Sequence, residues 1–137
     1  MSGLLLDTHV LVWLLEGNER LGQEARAAIQ AAAETGTLHV SAITPWEIAM
    51  LVGKARLRFC CDVGEWMERA LKLPGITLAP LSPAIAVAST RLPGEIHEDF
   101  ADQIIVATAR HLGAKLVTAD ALLLAYAKTG YLDVLEC

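Results

Sequence analysis

Several things are scarce in this chain, and each scarcity narrows what it can be. Only three of its 137 residues are cysteines: Cys60, Cys61 and Cys137. An odd count with two adjacent residues does not build a disulfide framework, and no Cys-x-x-Cys spacing offers a thiolate zinc site. Reduced thiols in a cytoplasmic protein are the expectation. Aromatic residues make up 5% of the chain, which, with the abundance of Ala and Leu, favours helices over a β-sandwich. No uninterrupted apolar run reaches the ~18 residues of a membrane-spanning helix. The apolar N-terminus is broken by Asp7 and His9 and lacks a positive leading segment, so it does not read as a signal peptide. No glycine-rich phosphate loop of either common type is present, which speaks against a nucleotide-binding switch. Positive charge is also in deficit: 11 Lys+Arg against 16 Asp+Glu give a net charge of −5. A nucleic acid would have to be held by local basic patches or bound cations, because the overall field repels it.

What the chain does have is apolar residue, 54% of the total, enough for a full core in one domain over residues 1–137. Leu4-Leu5-Leu6 is a short apolar run ending in Asp7, the pattern of a central strand buried on both faces. A helix is expected from Val10 to Leu15 and another from Leu21 to Ala33, with Gly36 as its stop. Leu38 to Ser41 reads as a second strand. Thr44-Pro45-Trp46-Glu47 reads as a helix start, with Thr44 as cap and Pro45 in first position, running to Val52 and ending at Gly53. Asp62 to Leu73 is a further helix, Ile76 to Leu78 a third strand, and Ser82-Pro83 caps a helix to Arg91. Asp99 to Leu112 has the strongest helical pattern. Lys115 to Thr118, Ala121 to Lys128 and Leu132 to Val134 complete the series as strand, helix and strand. Alternating strands and helices predict a three-layer α/β/α sandwich around a five-stranded, mainly parallel sheet.

In such a sheet, ligands bind beyond the carboxyl ends of the strands. Asp7 follows the first strand, Glu47 opens the helix after the second, Asp99 and Asp102 open the helix before the fourth, and Asp120 follows the fourth. Each placement has a local explanation. Acids in a first turn favour the helix dipole, which covers Glu47, Asp99 and Asp102, and Asp120 could cap a helix. Asp7 is harder to explain locally, since it has no capping box and no nearby base. Jointly the acids make a stronger case. Carboxylates ~5 Å apart repel by about 3 kcal/mol per pair at an effective dielectric of 20. A hard divalent cation, Mg²⁺ or Mn²⁺, removes that conflict and suits phosphodiester hydrolysis.

The motifs themselves are Leu6-Asp7-Thr8-His9-Val10, Ser41-Ala42-Ile43-Thr44-Pro45-Trp46-Glu47, Asp99-Phe100-Ala101-Asp102-Gln103 and Leu116-Val117-Thr118-Ala119-Asp120. In this order the series resembles the PIN-domain family, and within it the VapC-type toxins of bacterial toxin–antitoxin modules, over nearly the whole chain. The resemblance implies RNA cleavage dependent on Mg²⁺ or Mn²⁺, with Asp7, Glu47, Asp102 and Asp120 as the catalytic, metal-holding acids and Asp99 as an auxiliary. It also implies a homodimer and inhibition by a small antitoxin. Related proteins often read Asp-Pro-Ala-Asp-Arg where this chain reads Asp99-Phe100-Ala101-Asp102-Gln103, so substrate contacts there differ.

Other residues carry two readings each. Thr8 and Thr118 neighbour the acids and could orient a carboxylate or water. Lys54, Arg56 and Arg58 are either a solvated surface or an RNA-binding, phosphate-contacting rim. His97 and His111 lack metal-ligand spacing and read as structural, whereas His9 could reach the site. Trp13 and Trp46 lie on apolar helical faces and read as core. Two rival functions remain. A non-catalytic binding module of the same fold is disfavoured by the presence of all four acids. An aspartyl-phosphate phosphotransfer enzyme would need an Asp-x-Asp pair, or a paired acid and a late lysine, which the chain does not supply.

Overall fold

The computed structural model describes residues 3–137. Five strands, β1 (Leu4–Leu6), β2 (Leu38–Ser41), β3 (Ile76–Ala79), β4 (Lys115–Thr118) and β5 (Val134–Glu136), form one sheet in the order β3-β2-β1-β4-β5. Every pairing is parallel. Among the described residues seven helices connect the strands: α1 (Thr8–Glu16), α2 (Gln23–Glu34), α3 (Ile43–Gly53), α4 (Val63–Leu71), α5 (Pro83–Ser89), α6 (Phe100–Leu112) and α7 (Ala121–Ala127).

The three leucines of β1 show why the sheet lies in the middle. Successive side chains of a strand point to opposite faces. Leu4 and Leu6 enter a core with Val10, Ile29, Val40 and Trp66, against α1, α2 and α4. Leu5 enters the other core with Ile105, Ala109, Leu116 and Leu123, against α6 and α7. A run that is apolar at every position is what two-sided burial requires, and the expected three-layer sandwich is the result.

Winding runs outward from β1 through β2 to β3, then returns to the other side of β1 as β4 and β5. The winding thus switches sides between β1 and β4, the point at which sheets of this kind form a crevice beyond the strands' carboxyl ends. Asp7 and Thr118 stand at its edge.

The expected boundaries agree to within two residues, and the larger differences have physical causes. α1 starts at Thr8, two residues before the expected Val10, because the Asp7 carboxylate accepts the Thr8 N–H and caps it. Thr44 does not cap α3. The backbone is already helical at Ala42, and Ser41 Oγ accepts the Ile43 N–H at 3.2 Å. Thr44 is instead fully buried. β5 lies two residues later than expected, since Leu132 is spent on the second core before pairing with β4 begins at Val134.

Candidate active site

Asp7 is 3% exposed. Its Oδ1 accepts the Thr8 N–H at 2.8 Å, and its Oδ2 accepts the Thr118 hydroxyl at 2.7 Å. His9 Nε2 accepts the Ala119 N–H at 3.1 Å, so the ring proton sits on Nδ1, 3.5 Å from Asp7 Oδ2. Burial raises the Asp7 pKa above the ordinary carboxylate range, with His9 and the two hydrogen bonds opposing. A buried acid held in this way favours an added positive charge.

Glu47 stands opposite, carried by the first half of α3. The Thr8 hydroxyl donates to Glu47 Oε1 at 2.5 Å and lies 3.2 Å from the Thr44 hydroxyl. Thr8 therefore links the end of β1 to α3, and Thr8 and Thr118 each donate a hydroxyl hydrogen bond to one of the acids. Burial first, and the charges of Asp7, Asp99 and Asp120 after it, push the Glu47 pKa up.

The third contributor is the start of α6. Asp99 caps the helix by accepting the Asp102 N–H at 3.0 Å. Asp102 Oδ2 lies 2.6 Å from His97 Nε2. Burial pushes the Asp102 pKa to about 7; the charges of Asp7, Asp99 and Asp120 add to the rise, and the His97 hydrogen bond opposes it. One carboxylate oxygen from each of Glu47, Asp99 and Asp102 lies within 4.8 Å of the others. Asp99, expected as an auxiliary, thus belongs to the tightest trio among the described residues. Asp120 caps α7, its Oδ1 accepting from Leu122 N–H at 2.8 Å and Leu123 N–H at 3.2 Å. Its charge is nevertheless felt at Asp7, Glu47 and Asp102.

All five acids therefore form one electrostatic unit at the crevice. The donor set is entirely carboxylate, the chemistry that selects hard divalent ions. Burial first, and the charges of neighbouring acids after it, raise the pKa values of Asp7, Glu47 and Asp102.

Lys54, Arg56 and Arg58 are exposed and follow α3. Among the described residues none of them joins an ion pair. Lys54 lies seven residues beyond Glu47, about two helical turns, so it sits on nearly the same stripe roughly 10 Å along the axis. His111 is exposed in the last turn of α6. Trp13 packs against the first core, as expected.

Three residues depart from their sequence readings or were not singled out. Trp46 is not core but 46% exposed. Phe100, which sequence reading passed over, meets it at the rim of the acid cluster. His97, read as structural, is the direct partner of Asp102. A signal for Trp46 and Phe100 existed: each adjoins an acid of the cluster on a helix, and such a neighbour lies near the same open crevice.

Comparison with known proteins gives a consistent picture. A family model for the PIN domain matches residues 4–129. Ribonuclease VapC22 of Mycobacterium tuberculosis is 33% identical over 120 residues, covering 88% of each chain. Among solved structures, VapBC2 from Rickettsia felis, bound to a DNA fragment from its promoter, superposes with a TM-score of 0.68 at 15% identity, covering 97% of each chain. A toxin–antitoxin complex from Klebsiella pneumoniae gives a TM-score of 0.58 at 25% identity over 87% of each chain.

Proposed function

The chain belongs to the PIN-domain family, and from that premise we propose that it is a divalent-cation-dependent ribonuclease, the toxin half of a toxin–antitoxin pair. The observation that carries this reading is the convergence of Glu47, Asp99 and Asp102 on oxygens within 4.8 Å, with buried Asp7 alongside. Glu47, Asp99 and Asp102 would hold Mg²⁺ or Mn²⁺, with Asp7 and Asp120 completing the negative field. When bound, such an ion lowers the pKa of its water and stabilises charge on the phosphate and the leaving oxygen.

The chain's own residues set the stage for that chemistry. Thr118 and the Thr8 N–H hold the Asp7 carboxylate in place. The Thr8 hydroxyl fixes Glu47. His97 fixes Asp102 through their hydrogen bond, which favours the ionised carboxylate. Lys54, Arg56 and Arg58 supply a cationic rim that an acidic protein needs for a polyanion. The partners are an RNA substrate, a second copy of the chain, and a small antitoxin.

The test is incubation with total RNA in Mg²⁺, in Mn²⁺ and in EDTA, read by end-mapping. Discrete cuts in either ion that vanish in EDTA are expected. Cleavage that persists in EDTA would overturn metal dependence, and absence of any cleavage would overturn the ribonuclease reading.

A further inference from the structure

The aromatic pair beside the acids has no part in the reading above. Trp46 is 46% exposed and Phe100 56% exposed. Their ring centroids lie 5.0 Å apart with planes tilted by 50°. Both line a pocket of about 270 Å³ shared with Glu47 and Asp99. The chain has only three Trp and two Phe, so leaving one of each in water at the mouth of the candidate site calls for an occupant.

We propose that Trp46 and Phe100 form a stacking platform for an unpaired nucleobase of single-stranded RNA, next to the bond that is cut. This rests on the ribonuclease reading. The tilt leaves no slot between the rings, so a base stacks on the open face of the pair and extends it. The occupant is aromatic and uncharged. Glu98, which has no part in holding the metal, lines the same pocket; its carboxylate disfavours an anionic group there and can accept hydrogen bonds from the amino and imino edges of a base. Stacking is tolerant of base identity, because every base has a π-face. The two rings also ride on the first turns of α3 and α6, the elements that carry Glu47, Asp99 and Asp102. A base stacked there has a fixed position relative to the acids, so Trp46 and Phe100 act as positioning residues.

Cut sites are first mapped on total RNA. Cleavage of a single-stranded oligoribonucleotide spanning one mapped site is then compared for wild type, Trp46→Ala, Phe100→Ala and Trp46→Phe. Each alanine variant should raise KM about tenfold or more, with a smaller change in kcat, and Trp46→Phe should recover most of the loss. An abasic residue beside the cut should raise the wild-type KM and remove the penalty of Trp46→Ala. Unchanged KM in both alanine variants of a chain that cleaves overturns the platform and leaves the ribonuclease reading standing. Variants that alter the oligomeric state in size-exclusion chromatography, while an abasic residue leaves the wild-type KM unchanged, assign the pair to a contact between copies and overturn the platform. A wild type that cuts no RNA overturns both.

Discussion

Asp102 is held between opposing demands. Burial and three neighbouring carboxylates favour its neutral form, while His97 favours the ionised one, and its pKa settles at about 7 instead of 3.8. The sign of the consequence follows. A carboxyl whose pKa is raised by folding is most compatible with the folded state when protonated. Stability without metal should therefore fall as pH rises from about 4 through about 7, by roughly 2–4 kcal/mol from this residue. Glu47 and Asp7, whose pKa values are also raised, act in the same direction. Unfolding in EDTA across pH measures the fall, and Mg²⁺ added near pH 8 should reverse it. Asp102→Asn and Asp7→Asn should abolish cleavage without lowering the metal-free melting temperature, and Asp102→Asn should flatten the pH dependence. Asn retains capping ability at position 7. A large drop in melting temperature in either variant would instead make these acids structural.

At the scale of elements, α3 joins two expectations. It carries Glu47 near its start and ends at the basic run, with Lys54 as its C-cap. Replacing Lys54, Arg56 and Arg58 together with Ala should weaken RNA binding and reduce the slope of log affinity against log salt by up to about 2, at ~0.7 per phosphate contact. An unchanged slope would return them to solvated surface. The same helix marks how far sequence reading extends. The strands Leu4–Leu6, Leu38–Ser41 and Lys115–Thr118 are legible because apolar runs end at acids or turn residues, and the acids follow from their places at strand ends. The cap of α3 was not legible, since Thr44 fits a capping pattern locally but is drawn to Thr8 by a contact between distant segments. Trp46 misled for a related reason. α3 is apolar nearly all round, with Trp46, Ile48, Leu51 and Val52 on different faces, so periodicity cannot say which face turns inward. His97 lies in a loop five residues before Asp102, and loop paths leave no periodic trace.

The molecule as a whole is acidic and exposes a pocket of carboxylates, which is an opening for regulation. An antitoxin that placed a guanidinium among Asp7, Glu47, Asp99 and Asp102 would form bidentate pairs with a group that keeps its charge, and would exclude metal and RNA together. The groove of about 480 Å³ lined by Leu14, Leu15, Ile29, Ala33 and Ile76 would offer such a partner an apolar anchor. A pull-down with the protein encoded beside this one should give a complex without ribonuclease activity, and a complex that cleaves at the free rate would rule out inhibition through the site. The hydrogen bond from Thr118 to Asp7 joins residues 111 positions apart, and it has a consequence in time. β1 leaves the ribosome before its partner β4, so Asp7 is made well ahead of the Thr118 hydroxyl that holds its carboxylate. A growing chain holds Asp7 without the strand that fixes it. On the ribonuclease proposal, the site would stay incomplete until β4 has been made and paired with β1.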